Sequence, residues 1–553
     1  MTKKNIFIRI PQIFFLTIAT ASIVKYLYYI NAILRFPFDW EPTDGDHLNF
    51  AHRLAEGLPI YLSMRSGQVL SIYNPLYHSI VAILGGEHAS LIFARTVSFI
   101  FWAICPLMVF IYFSKKWGYL YSLIAALLIW LPSEPGLLIE IVQVSPNSTM
   151  AFLFLATLIY AEQCLEKKNI VWWNFFALGC LSSLCYLAKQ QGLIAFASLM
   201  TFLLVKRVSI RMQLLSVIGF LFVFSLTTVY LEWVNSGEFL KSTIIDLHKI
   251  IIDDKSIAFN RLIAFIYNYN FYIIALVIAS IMQTFLQLTG LTIWKISFIL
   301  HIPFLLSILG NAGGGQNYFL TFWITSVLIC IEMLKRLETS QVDVSIVIIV
   351  LFFYVFNYFD IRKKFFFLAI LVFFAYSYSK KLHLLENVNA KYKKYKIFNS
   401  HIFSHFLIII FFFNLSTLTI KNYKSISSFP LPTSILNKLM KDYNQRIRYF
   451  IRIKPNANVL TDRNIGALVM NGANVQNEGS TMFEYAWAYP KFFPRQRVLS
   501  SIRTKQFDMI TTGITPYPEE VQKTIEKNYK ISFTNKVNMI FGKIGLVKVY
   551  IPK

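Results

Sequence analysis

Residues Met212 to Val234 read MQLLSVIGFLFVFSLTTVYLEWV, an apolar run with Glu232 as its one charged residue. An α-helix of about 20 apolar residues crosses the roughly 30 Å hydrocarbon core of a bilayer, so this run is long enough to span it. Similar runs recur along the chain, in which 56% of the 553 residues are hydrophobic and 15% are charged. An ordinary soluble domain has about 25% charge. The sequence therefore predicts a polytopic α-helical membrane protein.

Basic residues cluster at the ends of the apolar runs, and the formal net charge is +25. This is the pattern of cytoplasmic loops in membrane proteins, so it argues against nucleic-acid binding. Counting from these clusters predicts about 13 membrane helices, with the N-terminus in the cytoplasm and the C-terminus outside. The lysine-rich linker 391–396 lies on the cytoplasmic side in this count and so supports it. The basic cluster 362–364 lies on the extracytoplasmic side and so does not fit it. The predicted spans are Ile10–Ile33, Ala89–Ser114, Tyr119–Leu138, Ser145–Tyr160, Ile170–Lys189, Gly192–Val205, Met212–Val234, Ile263–Gln287, Leu291–Gly310, Tyr318–Met333, Val344–Phe359, Phe365–Tyr378 and Ile402–Ile420.

Two units are predicted, a transmembrane module over residues 1–424 and an extracytoplasmic α/β domain over residues 425–553. The first outer loop, residues 34–88, belongs to the module. In the tail, short β-like runs at Asn458–Thr461, Met509–Thr511 and Leu546–Tyr550 predict strands, and Pro518–Tyr529 predicts a helix begun by a proline and glutamates. About 125 residues suffice for a small domain.

The first outer loop contains the stretch FPFDWEPTDGDH, Phe36 to His47, and an amphipathic helix is predicted after it over Leu48–Leu58, capped by Gly57. A helix that starts at Asp44 or Asp46 would keep that carboxylate ionised at the positive end of the helix dipole. Such a carboxylate can accept a proton or bind a cation. The alternative is a solvated loop that merely ends the first helix. Four of the chain's 28 acidic residues lie in this stretch: Asp39, Glu41, Asp44 and Asp46.

Further short motifs follow the acidic loop in order along most of the chain. They are Asp44-Gly45, Gly57 to Tyr61, Tyr73-Asn74-Pro75-Leu76-Tyr77, Arg95, Ala188-Lys189-Gln190, Gly313 to Leu320 and Val459-Leu460-Thr461-Asp462. In this order they resemble the GT-C membrane glycosyltransferases, which include protein O-mannosyltransferases and lipid A aminoarabinose transferases, and in particular bacterial glycosyltransferase family 39. The chain departs from that pattern at Ser145-Pro146-Asn147, where relatives often have Arg-x-Asp, and at Thr321, where they often have Glu.

The resemblance implies a GT-C fold and an enzyme that moves a sugar from a polyprenyl-phosphate donor to a glycan, lipid or protein acceptor. The transfer would take place on the outer face of a bacterial inner membrane. No nucleotide sugar is available there, and the sequence has no nucleotide-binding signature. Transfer of this kind needs a general base for the acceptor hydroxyl and a cation for the phosphate.

In this scheme Asp44 is the expected base and Asp46 is the second choice. Glu41 supports the base or binds a metal. The sequence leaves open whether Glu41 and Asp46 hold a divalent metal ion. Arg95 and Lys189 are the expected phosphate ligands, because a cation in an apolar segment needs a partner. The alternatives are an internal salt bridge for Arg95 and an interfacial position for Lys189. The further candidate substrate-binding residues are Arg53, Tyr73, Asn74, His78, Asn317 and Tyr318.

Two other functions fit many of the same features. A transporter or flippase for a lipid-linked glycan also has many helices with a few intramembrane charges. It does not need an acidic first loop or a soluble tail, and the sequence shows no internal repeat. A polysaccharide polymerase or ligase would also act outside, but is expected to have arginine-rich outer loops. The sugar and the acceptor are not indicated by the sequence.

Overall fold

The structure, a computed structural model, describes residues 3–61, 71, 73–132, 137, 140–166, 171–245, 255–266, 271–287, 291–310, 316–338, 408–409, 411–421, 423–424, 431–461, 465–475, 495–513, 517–540 and 543–553. Its helices are α1 Lys3–Leu34, α2 Pro42–Ala55, α3 Leu76–Gly85, α4 Leu91–Trp117, α5 Tyr119–Trp130, α6 Asn147–Glu166, α7 Trp172–Ala188, α8 Leu193–Val205, α9 Ile210–Val234, α10 Lys255–Phe265, α11 Phe271–Gln287, α12 Ile293–Ile308, α13 Leu320–Glu338, α14 Ser434–Ile453, α15 Ile465–Val469, α16 Arg495–Arg503 and α17 Glu519–Asn528. The strands are β1 Asn458–Thr461, β2 Asn474–Val475, β3 Met509–Thr512, β4 Tyr529–Ile540 and β5 Lys543–Pro552.

Long apolar helices dominate the part of the chain before residue 424. Within the described residues, five helical segments are long and apolar enough to cross a membrane, and several shorter apolar helices pack among them. Buried side chains of many of these helices belong to one continuous apolar core. The five segments are Ile10–Leu34, Leu91–Trp117, Asn147–Glu166, Ile210–Val234 and Gln316–Glu338.

Most predicted spans coincide with observed helices to within a few residues, although α5 ends at Trp130 rather than Leu138. The predicted span from Ile263 covers the end of α10 and the whole of α11, and residues 267–270 between them lie outside the described residues. The spans predicted at 344–359 and 365–378 also lie outside the described residues, as does much of 402–420. The total of about 13 therefore stays a prediction.

The helix after the acidic stretch begins earlier than predicted. It starts at Pro42, rather than at Asp44, Asp46 or Leu48, because Glu41 caps it and proline suits a first helical position. The helix ends at Ala55, and Gly57 follows with φ +71°, a left-handed conformation that glycine adopts readily. Asp44 accordingly lies in the first turn, where the helix dipole favours a negative charge.

The tail contains helices α14 to α17 and one five-stranded sheet in the order β2-β1-β3-β5-β4. Strand β1 runs parallel to β2 and β3, whereas β5 is antiparallel to β3 and β4. The strands predicted at Asn458–Thr461, Met509–Thr511 and Leu546–Tyr550 are confirmed, as is the helix that follows Pro518. Helix α14 packs on β4 with its apolar face, which consists of Leu436, Met440, Tyr443, Ile447 and Ile451.

Two glycines bring the tail against the first loop. Helix α15 of the tail crosses α2 where Gly45 faces Gly466, and a Cβ on Gly45 would collide with the backbone nitrogen of Gly466. The Gly466 N–H donates to Asp39 Oδ1 at 3.1 Å, and Asn538 Nδ2 donates to the Asp39 carbonyl at 2.7 Å. We call the side of the helix bundle that bears this contact the tail side.

Candidate functional site

Asp44 closes the first turn of α2 in a reciprocal capping arrangement with Glu41. Its Oδ2 accepts hydrogen bonds from the backbone N–H groups of Trp40, at 3.0 Å, and Glu41, at 3.2 Å. In return, the Glu41 carboxylate accepts from the Thr43 N–H at 2.7 Å. These bonds satisfy backbone donors that a helix start otherwise leaves free. Asp44 therefore fixes the shape of the acidic stretch.

The same carboxylate forms a fully buried ion pair with Arg95, near the start of α4. Arg95 Nη2 lies 2.5 Å from Asp44 Oδ2, and both side chains are 0% exposed. The guanidinium also donates to the carbonyls of Phe36, at 2.6 Å, and Phe38, at 2.7 Å. Asp44 Oδ1 accepts from the Val144 N–H at 2.8 Å. We call Asp44 and Arg95 the anchor pair, because they tie the first loop to α4 and to the segment before α6.

The anchor pair has the partners that buried charges require. Three backbone N–H groups and the guanidinium bind the Asp44 carboxylate, so most of its acceptor positions are filled. Removing one member of such a pair leaves an uncompensated buried charge and costs about 3–5 kcal/mol. In this geometry both residues have a clear structural role. The internal salt bridge, which is the alternative that the sequence offers for Arg95, is present.

Glu41 is the loop carboxylate that is least buried. Its side chain is partly exposed, whereas Asp39 and Asp46 are 3% and Asp44 is 0% exposed. Burial raises the pKa of Glu41 to about 8, with further contributions from the charges of Asp44 and Glu140. A carboxylate with a raised pKa is a stronger base in its ionised form, and a pKa of about 8 means that half of the Glu41 side chains are ionised near pH 8.

A second polar cluster lies beside the loop, at the tail-side ends of α6 and α7. Lys189 Nζ donates to Asn147 Oδ1 at 2.6 Å and lies 5.1 Å from the centre of the Tyr318 ring. Asn147 Nδ2 donates in turn to Glu140 Oε2 at 3.0 Å. We call Glu140, Asn147, Lys189 and Tyr318 the Lys189 cluster. It joins residues from three separate parts of the chain on the side where the acidic loop lies.

The electrostatics of the Lys189 cluster differ from those of the anchor pair. Burial raises the pKa of Glu140, and the positive charge of Lys189 opposes that rise. The side-chain amide of Asn147 lies between the two charges, so Lys189 and Glu140 can each bind a further partner. The cluster can bind an anion through Lys189 while Glu140 keeps the lysine charged.

His78 forms a pair with His47 next to the cluster. His47 Nδ1 lies 2.8 Å from His78 Nε2, and the Tyr73 ring is 4.8 Å from that of His47. Burial, the nearby His78 and the charge of Lys189 lower the pKa of His47 well below its usual value. Burial likewise lowers the pKa of His78 to about 3. Both rings are therefore neutral at physiological pH and share one hydrogen bond.

The other predicted residues lie around this core. Arg53 Nε donates to the Pro59 carbonyl at 2.9 Å, which closes the turn after α2. Asn74 Nδ2 donates to the Tyr186 carbonyl on α7, and so ties the Tyr-Asn-Pro segment to the helix that ends at Lys189. Asn317 is partly exposed in the short helical turn that includes Tyr318. Asp46 is buried on α2.

The described residues do not fit a resident metal ion well. Among them, no three His, Cys, Asp or Glu side chains come together in a way that could hold one. Glu41 binds Thr43, Asp44 binds Arg95, and the amide oxygen of Asn147 binds Lys189. The oxygen ligands that a divalent cation prefers are thus largely used by protein donors.

Sequence reasoning missed Glu140 and the role of Asn147. Glu140 lies in the run Leu137-Leu138-Ile139-Glu140-Ile141, so an isolated acid in an apolar segment was the available signal. Asn147 was noted as a departure from the Arg-x-Asp pattern, and the structure gives it two partners, Glu140 and Lys189. The attachment of Asp39 to Gly466, 427 residues away, had no local signal.

The whole architecture is similar to that of two solved structures of ArnT. ArnT from Cupriavidus metallidurans bound to undecaprenyl phosphate matches with a TM-score of 0.54 and 12% identity, over 97% of this chain and 97% of that chain. The apo form of ArnT matches with a TM-score of 0.52 and 11% identity, over 96% and 98%. No protein-family model and no curated protein matches the sequence. The chain thus shares the fold of ArnT, and its long apolar helices are those of a multi-pass membrane protein.

Proposed function

We propose that the protein is an integral membrane glycosyltransferase that moves a sugar from a polyprenyl-phosphate donor to an acceptor on the extracytoplasmic face. The observation that supports this most directly is the position of Lys189. It is a buried cation held by an amide and an aromatic ring, and it lies beside the loop in which the Glu41 side chain is partly exposed. The fold similarity adds support, since the ArnT structure of the same fold holds undecaprenyl phosphate. The tail side would face outward, with the N-terminus in the cytoplasm.

In the proposed reaction the acceptor hydroxyl gives its proton to a carboxylate while its oxygen attacks the anomeric carbon of the sugar. The bond between that carbon and the phosphate oxygen breaks, and polyprenyl phosphate leaves as an anion. Lys189 would stabilise the charge that develops on this phosphate. Tyr318 and Asn147 would hold the lysine in place, since both contact its ammonium group.

Two carboxylates compete for the role of base. Asp44, the expected base, is 0% exposed and bound by four donors, which favours a positioning role over proton transfer. Glu41 is partly exposed and its pKa is raised to about 8, mainly by burial. We therefore propose that Glu41 is the base and that Asp44 holds the segment around Glu41 in position. Asp46 stays a second candidate in the same helix.

The experiment that tests this function is transfer from a radiolabelled polyprenyl-phosphate sugar in membranes that contain the full chain. Wild type is expected to transfer the label, and Lys189→Met is expected to lose about 100-fold or more, the size of effect seen when one charge-stabilising donor is removed. Glu41→Gln, Asp44→Asn and Asp46→Asn, measured separately, rank the loop carboxylates. Full activity in every variant would contradict the proposed site.

A transporter or flippase for a lipid-linked glycan is the second candidate, since apolar helices with buried charges suit it as well. A polymerase or ligase remains within the same chemistry, because it too joins lipid-linked sugars outside the membrane. The two classes separate in one measurement. A transporter moves the labelled lipid across vesicles and leaves the bond between sugar and phosphate intact, whereas transfer breaks that bond.

A further inference from the structure

A basic groove lies between the tail and the end of α1, next to the acidic loop but separate from the Lys189 cluster. It has a volume of about 850 Å³, within the range of small-molecule sites. Pro37 and Phe38 form one wall, and α14 with the turn after α15 forms the other. It thus lies where the tail meets the first outer loop.

Three cations line the groove from a single helix face. Lys441, Arg448 and Arg452 stand seven and four residues apart on α14, spacings that place them along one side of a helix. The opposite side of α14 is apolar and packs on the sheet. No acidic side chain is among the described residues that line the groove, and the described ion pairs include none of these three cations. Their charge is thus available to a ligand.

Amide groups add donors and acceptors to this wall. Asn444, Asn456 and Asn471 line the groove, and Asn471 Nδ2 donates to Asn444 Oδ1 at 2.6 Å, which fixes the wall between α14 and the turn after α15. Guanidinium groups beside amides are well suited to phosphate, which accepts several charge-assisted hydrogen bonds at once. The chemistry of the groove therefore favours a phosphate-bearing ligand.

The surroundings of the groove point to a ligand that arrives from the membrane. Its first wall follows directly after α1, whose segment Ile10–Leu34 is long and apolar enough to span a bilayer. On an adjacent side of α14, Ile435, Tyr449 and Ile453 are 66%, 71% and 67% exposed. Cations beside exposed apolar and aromatic side chains are typical of helices that lie on a membrane surface.

We propose that this groove binds the anionic, phosphate-bearing headgroup of a membrane-anchored lipid, one with no compensating positive charge, and that in the proposed transferase it holds the acceptor. The second step rests on the proposed function. Phe38 and Glu41 are three residues apart, so their Cα atoms are separated by at most roughly 11 Å. A phosphate bound beside Phe38 would thus bring the hydroxyls of an attached sugar within reach of the carboxylate loop.

The first test measures binding alone, with the full chain in a nonionic detergent. The probes are short-chain phosphatidylglycerol, short-chain phosphatidylcholine and free glycerol phosphate. Wild type is expected to bind phosphatidylglycerol at least about tenfold more tightly than either other probe. Equal affinity for the two lipids would overturn the proposal. Equal affinity for phosphatidylglycerol and free glycerol phosphate would also overturn it, because the lipid chains would then contribute nothing to binding.

The groove residues are tested with charge-matched triple variants. Lys441→Gln/Arg448→Gln/Arg452→Gln is expected to lose about tenfold or more in affinity for phosphatidylglycerol, since charge-assisted bonds are removed. The control, Lys438→Gln/Lys527→Gln/Lys530→Gln, removes the same charge from exposed tail lysines outside the groove and should bind as wild type does. An equal loss in both variants would mean that only general charge attraction acts.

The same proteins separate failure of the groove from failure of the transferase. Glu41→Gln is expected to bind phosphatidylglycerol as wild type does, because Glu41 does not line the groove. If wild type binds this lipid selectively but transfers no sugar, the proposed function fails and the lipid site stands. If it transfers sugar and the triple groove variant binds and transfers as well as wild type, the groove proposal is overturned alone.

Discussion

The anchor pair and the Lys189 cluster are both charged groups inside an apolar protein, but their hydrogen bonding differs. Asp44 receives four donors and Arg95 binds backbone carbonyls as well as the carboxylate, all with no exposure. Lys189 binds one amide and one ring, and Glu140 is partly exposed. Charges bound by several protein groups hold the fold, whereas charges with fewer protein partners can act on a ligand.

The largest effect is expected from Arg95→Met, which leaves the Asp44 carboxylate buried without its cation. We expect a loss of about 3–5 kcal/mol in the free energy of unfolding, because a buried charge loses its partner. Thermal or denaturant unfolding in detergent measures it. The double variant Asp44→Asn/Arg95→Met should recover part of the loss, since it removes both charges. A single variant as stable as wild type would contradict the anchor role.

Glu140→Gln is expected to affect activity rather than stability. Glutamine can still accept the Asn147 hydrogen bond, but it removes the negative charge that keeps Lys189 protonated. We expect sugar transfer to fall about 100-fold while the free energy of unfolding changes by less than about 1 kcal/mol. Glu166→Gln on α6, which removes an exposed partner of Lys116, is the matched control and should retain transfer.

Gly466→Ala tests the contact between the tail and the loop. The added Cβ would lie 2.7 Å from Asp39 Oδ1 and 2.9 Å from a methyl group of Leu91, so one of them must move. Overpacking of this kind typically costs about 1–3 kcal/mol, and we expect transfer to fall as the loop shifts. Lys527→Ala, at an exposed site on α17, serves as the control. Unchanged stability and transfer in Gly466→Ala would show that the tail contact is dispensable.

The last expected effect is a pH dependence of stability. Burial raises the pKa of Asp39 to about 7 and that of Glu41 to about 8, above their ordinary values near 4. The folded protein therefore binds more protons than the unfolded chain between about pH 4 and 8, so stability must fall as pH rises through this window. Melting temperatures at pH 5 and 8 measure it. Asp39→Asn and Glu41→Gln should each flatten the slope, and an unchanged slope in both would contradict the shifts.

The sequence predicted the elements whose signal is local. Apolar runs such as Met212–Val234 predicted helices, since their length alone suits a bilayer, and short β-like runs at Asn458–Thr461 and Met509–Thr511 predicted strands. The start of α2 was placed too late because the acidic residues before Leu48 looked like a loop. Pro42 and the side chain of Glu41 decide that start, and capping is visible only once the backbone is known.

The candidate site was predicted only in part, because its contacts join distant segments. The motifs pointed to Asp44, Arg95 and Lys189, but not to the pairing of the first two, which lie 51 residues apart. Burial also separates the four acids of the loop, and burial depends on the tail and on the segment near Val144. Sequence could therefore name the loop but could not rank Glu41 against Asp44.

The measurement that tests the central claim most directly compares Glu41→Gln with wild type in sugar transfer and in thermal unfolding, on the same purified protein. We expect Glu41→Gln to unfold at or above the wild-type temperature near pH 8, because glutamine removes a partly buried charge, and to lose transfer by at least about 100-fold. Wild-type transfer rates in a folded Glu41→Gln protein would contradict the assignment of the base.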